Sequence, residues 1–186
     1  MRKFWGVLAL LVASVLACPT ASAAPVHDAA PGGGRYHYEF HFAIAHYTRP
    51  SPQSVLQFAI NNFGLFPVSG NCPSRIRPGL TCQLSGGNPA RIAAIGPTYF
   101  QIQSLPGHLE GPDKFITFAF HQDRSAAGFT WLDVVADGPN NTTCNRIWIC
   151  SRLNVEFAKG LWQAYANRFM ARLDPRLMQE SVAIDA

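Results

Sequence analysis

The chain has 186 residues, a formal net charge of +4 and a mean hydropathy of +0.03. Two of its fifteen basic residues lie in an amino-terminal targeting segment, so 13 basic residues face 11 acidic ones in the remainder, a net charge of +2. This near neutrality, without a stripe of lysine or arginine, argues against nucleic acid as a partner. The remaining length of about 160 residues suits one domain with a sizeable core.

The first 23 residues have the pattern of a bacterial signal peptide. Two basic residues precede an uncharged apolar run from Phe4 to Ala17, and a small-residue cleavage signature ends at Ala23. We therefore expect a secreted protein. Cys18 leaves an alternative, a lipid-modified cysteine at the outer face of the cell membrane, and only in that case would a membrane be a partner. Residues 24–34, which include three consecutive glycines, are predicted to be a flexible leader.

The first predicted elements are a strand, a short helix and two further strands. Apolar and polar residues alternate over Arg35 to Tyr47, which predicts a strand with one wet face. Ser51 suits a helix N-cap and is followed by proline, so a short amphipathic helix is predicted over Pro52 to Phe63. Two short strands are predicted over Leu80 to Leu84 and over Arg91 to Ile95.

The densest strand signal lies in the middle of the chain. Strands are predicted over Thr98 to Leu105, Lys114 to Asp123 and Phe129 to Ala136, where aromatic and β-branched residues are frequent. The sequence PGHLEGPD separates the first two of these runs, and a short loop that ends in glycine separates the last two. Links this short exclude parallel crossovers, so consecutive strands should be antiparallel.

The carboxyl-terminal part of the chain changes to a helical period. From Asn154 onward, apolar residues recur at intervals of three and four, and Asp174 with Pro175 is predicted to end the helix. Its aromatic stripe must pack on the sheet. The predicted fold is therefore α+β, with a curved antiparallel sheet of about six strands, a short helix after strand 1 and a long C-terminal helix packed in the sheet. Residues 35–174 form this single domain, and residues 175–186 are left as a tail.

Four cysteines remain after the signal peptide, an even number in a chain expected to be exported. Of the three possible pairings, we favour Cys72 with Cys82 and Cys144 with Cys150, because each pair is close in sequence and brackets a loop. Their spacing does not match the close pairs of structural zinc ligands. No metal and no cofactor are expected.

A family resemblance covers Thr98 to Pro139. The sequence SLPGHLEG, followed by KFITFAF and TWLDVVADGP, is similar to the strand-loop-strand region of an uncharacterised branch of the helix-grip proteins, of the START or SRPBCC type. The order of the predicted elements also resembles that group. The resemblance implies a space between sheet and terminal helix that holds an apolar small molecule, and it implies no catalytic residue.

One polar region suggests acid/base chemistry. His108 and Glu110 lie in the PGHLEGPD loop, and a carboxylate beside an imidazole can set its tautomer and raise its pKa. His121 and Asp123 share one face of their strand, and Asp133 on the next strand would reach His121 if the hairpin register placed them opposite each other. The alternative is that these residues shape a turn or pair on a solvated face.

The high aromatic content admits either ordinary packing or the lining of a site for an apolar ligand. The predicted lining residues are Phe118, Phe120, Trp131, Trp162, Tyr165 and Phe169. The leading prediction is a secreted domain that binds an apolar or amphipathic small molecule between sheet and C-terminal helix. The alternatives are a secreted effector or hydrolase that uses the region of His108, Glu110, His121 and Asp123, and a surface-interaction domain with a filled core.

Overall fold

The computed structural model describes residues 35–123, 128–142 and 148–184. Within them the fold is α+β, as predicted. The elements in chain order are β1 (Arg35–Ala45), α1 (Pro52–Asn61), β2 (Thr81–Leu84), β3 (Asn88–Ile95), β4 (Tyr99–Ser104), β5 (Phe115–Gln122), β6 (Thr130–Pro139), α2 (Trp148–Leu173) and α3 (Pro175–Ile184).

The six strands form one curved antiparallel sheet in the order β1-β6-β5-β4-β3-β2. Strands β2 to β6 follow one another directly, and β1 pairs with β6 at the far edge. The register shifts between Ala43 and Ala45 in β1 and between Ile92 and Ala94 in β3, and such irregularities bend a sheet locally. The antiparallel prediction is confirmed, and α1 carries the chain from one edge of the sheet to the other.

The two-residue period of β1 is confirmed. The side chains of one parity are buried, which places a row of large aromatic rings on the inner face of the sheet: Tyr36, Tyr38, Phe40 and Phe42, with Ile44 after them. The helix α1 begins at the predicted residue, where Ser51 accepts a hydrogen bond from the Ser54 backbone N–H. Both α1 and α2 cover this inner face, and Phe58 and Phe169 meet there with ring centroids 6.1 Å apart.

The long helix ends at Leu173, as predicted, but it begins at Trp148 rather than at Asn154. The segment that we assigned to the tail also forms a helix, α3. Asp174 lies between the two helices and is buried, with 1% of its surface exposed. Its carboxylate accepts hydrogen bonds from the backbone N–H groups of His46 and Tyr47, at 2.7 and 2.6 Å, just past the end of β1. One carboxylate therefore ties the helix junction to the end of the first strand.

Residues 68–72, in the segment between α1 and β2, are fixed along the free edge of β2. A disulfide joins Cys72 and Cys82, whose Cα atoms are 5.1 Å apart, so this predicted pair is confirmed. Gly70 has a φ of +57°, and a Cβ there would lie 2.3 Å from the Gln83 carbonyl oxygen. Only glycine meets both conditions. The other predicted pair includes Cys144, which lies outside the described residues.

Candidate functional site

The inner layer between the sheet and α2 is lined by aromatic side chains. Five of the six predicted lining residues are buried together there, namely Phe118, Phe120, Trp162, Tyr165 and Phe169. The Phe118 ring lies 5.0 Å from Trp162 and 5.9 Å from Tyr165, measured between ring centroids, and the Phe120 ring lies 5.5 Å from Phe169. The rings of the sheet and of α2 therefore pack directly on one another and form one continuous aromatic layer.

The prediction that Trp131 lines the inner layer is wrong. In β6 the buried side chains are those of Thr130, Leu132, Val134 and Ala136, so Trp131 has the opposite parity. Its ring stacks on His121, with centroids 6.5 Å apart, and packs beside Phe129. Trp131 therefore lies on the outer face of the sheet and cannot line the inner layer.

One end of the inner layer is polar. Tyr36 and Tyr38 of β1 are 1% exposed, and the Tyr38 hydroxyl accepts a hydrogen bond from Trp162 Nε1 at 3.0 Å. The loop between β4 and β5 brings Glu110 to the same place, where its carboxylate accepts a hydrogen bond from Asn154 Nδ2 of α2 at 2.8 Å. Burial raises the pKa of both tyrosines, and the nearby Glu110 carboxylate raises it further. Both hydroxyls therefore stay protonated and can donate.

Lys114 completes this polar end and is only 2% exposed. Its ammonium group donates to the Glu110 carbonyl oxygen and lies 4.4 Å from the centre of the Tyr36 ring, a cation–π contact. Gly138 of β6 makes room for it, since a Cβ there would approach the Lys114 Cα to 2.8 Å. Burial lowers the pKa of Lys114, and the Glu110 carboxylate opposes that shift. We refer to Tyr36, Tyr38, Glu110 and Lys114 as the polar cluster.

The buried hydroxyl of Tyr165 has no hydrogen-bond partner among the described residues, whereas that of Tyr36 lies beside the Tyr38 hydroxyl and the Glu110 carboxylate. Tyr36 and Tyr165 belong to the inner layer, one in the polar cluster and one among the aromatic rings of α2 and the sheet. Buried polar groups are nearly always paired with protein, water or ligand, so the Tyr165 hydroxyl requires an explanation. It marks the position in the layer where a bound molecule would gain a hydrogen bond.

The structure places His108 beside the polar cluster but not in contact with the Glu110 carboxylate. Its Nδ1 atom accepts a hydrogen bond from the Glu110 backbone N–H at 3.1 Å, so its proton in the neutral form is on Nε2. Burial lowers the pKa of His108, Lys114 lowers it further, and Glu110 opposes them. The candidate imidazole–carboxylate pair is therefore not formed through Nδ1, and His108 instead helps to shape the turn of this loop, which was the alternative interpretation.

His121 does contact Asp133, as the hairpin prediction suggested. The two residues are not directly opposite each other, however, because His121 pairs with Trp131. Asp133 is paired with Ala119 and His41 across the strands, and its two carboxylate oxygens each lie 2.7 Å from an Nδ1 atom, one of His41 and one of His121. This group lies on the outer face of the sheet, where these side chains are 20% to 50% exposed.

The four predicted catalytic candidates do not form one site. His108 and Glu110 precede β5, whereas His121 and Asp123 lie at its far end. At about 3.3 Å per residue, the strand separates the two pairs by about 20 Å. They also differ in environment, because the Glu110 carboxylate faces the inner layer and His121 faces outward. A single acid/base centre that uses all four residues is therefore excluded.

No group of three or more histidine, cysteine, aspartate or glutamate side chains suited to a metal ion occurs among the described residues. None of the helices in the described ranges is long and apolar enough to cross a membrane.

Sequence reasoning did not identify the polar cluster as a site. Its members come from β1 and from the loop before β5, they bond to Asn154 and Trp162 of α2, and no short motif links them. One signal was present, because Tyr36 and Tyr38 occupy buried positions of an alternating strand where hydroxyl groups need partners. Phe66, which lies between α1 and β2, was also missed as part of the inner layer, where its ring is 5.5 Å from Trp162.

The curved sheet with a long helix across its inner face is an arrangement of the helix-grip type. No protein-family model matches the sequence, and no curated protein matches it significantly.

Two similar solved structures are a Mesorhizobium loti protein, MLL2253, and CalU16 from Micromonospora echinospora. The first is 16% identical with a TM-score of 0.52, over 75% of this chain and 98% of its own. The second is 15% identical with a TM-score of 0.50, over 88% and 91% of the two chains. At this level of identity the similarity concerns the fold alone.

Proposed function

We propose that this protein is a secreted helix-grip domain, of the START or SRPBCC type, which binds an apolar or amphipathic small molecule between its sheet and α2. The observation that carries the proposal is the buried Tyr165 hydroxyl, which has no partner among the described residues and lies in the aromatic inner layer. A mostly apolar surface with a few convergent polar groups is the usual composition of a small-molecule site.

Secretion is supported by the amino-terminal sequence pattern, and the Cys72–Cys82 disulfide is compatible with an oxidising compartment. Mass spectrometry of the protein from the culture medium tests this part. If the protein is released from the cell, we expect a mature chain that begins at Ala24. Recovery of the protein only from membranes, with a lipid on Cys18, would instead establish the anchored form.

Binding is tested by native mass spectrometry of the protein purified from its own culture medium. We expect a mass above that of the bare chain, which falls to the bare mass under denaturing conditions. A bare mass in every preparation would contradict the proposal if apolar probes also failed to bind.

Tryptophan fluorescence with the neutral dye Nile red provides the probe experiment. Trp162 lies in the inner layer and Trp131 lies on the outer face, so the two form a matched pair. Energy transfer from tryptophan to bound dye should persist in Trp131→Phe and weaken in Trp162→Phe. The reverse pattern would place the dye on the outer face and refute binding between sheet and helix.

A further inference from the structure

The outer face of the sheet carries charged side chains on its first two strands. Glu39 and His41 are neighbours on the outer side of β1, because residues two apart in a strand point the same way. Asp133 of β6 lies directly opposite His41. The side chains of Glu39, His41 and Asp133 are 49%, 37% and 20% exposed, so solvent reaches all three.

Asp133 fixes the orientation and the tautomer of His41. Its Oδ1 atom lies 2.7 Å from His41 Nδ1. A carboxylate oxygen can only accept, so the proton of the neutral imidazole is on Nδ1 and the lone pair is on Nε2. Histidines that bind a metal are almost always held in this way, with an acceptor on the nitrogen that does not bind. His41 is therefore oriented as a metal ligand would be.

The other nitrogen of His41 faces a second carboxylate. Glu39 Oε1 lies 3.4 Å from His41 Nε2, and with a neutral imidazole both atoms present lone pairs to each other. A cation between them, either a proton on Nε2 or a metal ion, removes this repulsion. Zinc bonds of about 2.0–2.2 Å in a tetrahedral arrangement place two ligand atoms about 3.4 Å apart, whereas adjacent octahedral ligands would be about 2.9 Å apart. The observed separation matches tetrahedral zinc.

The local charge favours a divalent cation. Glu39 and Asp133 each carry a negative charge, and the neutral His41 ring between them does not offset it. Arg35, on the same face of β1, is paired with Asp137 further along the strand. Two carboxylates within reach of one imidazole attract a divalent ion more strongly than a monovalent one.

We propose that Glu39 and His41 bind a zinc ion on the outer face of the sheet, through Oε1 and Nε2, with Asp133 as the positioning residue of His41. His37, the next outward-facing residue, has its Nδ1 atom 3.9 Å from Asp137 Oδ2 and is turned away from the site. The protein thus supplies two ligands, and two positions stay open for water or for an external ligand. The sequence analysis did not predict this site. It is independent of the proposed function, because it lies on the other face of the sheet from the aromatic layer.

Isothermal titration calorimetry of zinc chloride into the secreted chain at neutral pH tests the inference. We expect saturable binding to the wild type. His41→Ala and Glu39→Gln each remove a ligand and should abolish most of it. Asp133→Asn keeps both ligands but loses the charge that supports the imidazole, and it should weaken binding about tenfold, as the loss of an outer partner does.

His121 provides the matched control. Its Nδ1 atom also lies 2.7 Å from the Asp133 carboxylate, but its Nε2 atom faces no carboxylate within the described part of the chain. His121→Ala should therefore leave the zinc affinity unchanged. NMR of the imidazole rings adds a direct readout, because zinc should shift the His41 signals with the Nδ1 proton retained. Urea unfolding of each variant checks that it is folded.

Each contrary outcome overturns the proposal. If zinc gives neither heat nor a shift of the His41 signals, the contact with Glu39 is an ion pair of a protonated imidazole. If zinc binds equally well to His41→Ala, the metal lies elsewhere on the chain. If Glu39→Gln binds as tightly as the wild type, or His121→Ala loses binding as His41→Ala does, the ligand pair is not Glu39 and His41. None of these results affects the proposed function.

Discussion

Asp174 provides the sharpest test of how the helices are attached to the sheet. Its buried carboxylate accepts hydrogen bonds from the backbone N–H groups of His46, Tyr47 and Thr48, and also from Leu177 in the first turn of α3. A buried donor that loses its acceptor costs about 1–3 kcal/mol, and a lost N-cap costs about 1 kcal/mol. Because one carboxylate serves all four donors, these costs are not additive.

We therefore expect Asp174→Ala to lower the free energy of unfolding by about 3 kcal/mol, and Asp174→Asn, which keeps one acceptor oxygen, by about 1–2 kcal/mol. Urea unfolding followed by tryptophan fluorescence measures both values. Asp137→Asn is the matched control, because Asp137 pairs with an exposed arginine, Arg35, on the sheet surface. That change should cost less than about 1 kcal/mol.

The effect of Asp174 should also depend on pH. Burial alone would raise the pKa of Asp174, but the backbone N–H groups outweigh burial and hold the pKa below its usual value. Its stabilisation is therefore fully present above the unfolded-state pKa of about 3.9 and is lost as the pH falls through the lower folded-state value. The difference in the free energy of unfolding between wild type and Asp174→Asn should therefore become smaller at acidic pH. A difference under about 0.5 kcal/mol at neutral pH, within the scatter of surface substitutions, would refute this reasoning.

Three further predictions concern stability. Replacing Cys72 and Cys82 together by serine should lower the free energy of unfolding by about 3 kcal/mol, the chain-entropy value for this loop, and a loss below about 1 kcal/mol in urea unfolding would contradict it. Gly138→Ala forces a methyl group against Lys114 and should cost about 1–3 kcal/mol, read as a lower Tm; an unchanged Tm would show that the strand relaxes freely. Phe118→Ala should cost about 3–5 kcal/mol in chemical denaturation, and a cost near zero would mean that its ring is not part of the core.

The sheet and the long helix were predictable because each repeats its apolar positions over many residues, although Phe157 of α2 is exposed. The alternation in β1 identifies its buried face, and the three-and-four spacing in α2 identifies the stripe that meets the sheet. Antiparallel pairing followed from short links. Periodicity and loop length are properties of the local sequence, so one sequence is enough to identify them.

Two errors have simple physical causes. Trp131 was assigned to the inner layer because it is large and apolar, although it shares its parity with Asp133 rather than with the buried Leu132. Asp174 and Pro175 were interpreted as the end of all helical structure. In the fold they are also the N-cap and first residue of α3, since Asp174 accepts a hydrogen bond from the Leu177 N–H.

The polar cluster could not be derived from local patterns. Tyr36, Glu110 and Asn154 are far apart in sequence and meet only because β1 pairs with the last strand while α2 crosses the inner face. The four candidates that the sequence did suggest lie in two pairs, one before β5 and one at its end, and the strand holds the two pairs apart. Local spacing thus favoured residues that the tertiary structure separates.

The most direct test is a crystal structure of the secreted protein grown with Nile red. The account predicts electron density for the dye between α2 and the sheet, in contact with the Trp162 ring and within about 3 Å of the Tyr165 hydroxyl. A closely packed inner layer with no bound dye, in which the Tyr165 hydroxyl bonds to a protein group, would contradict it.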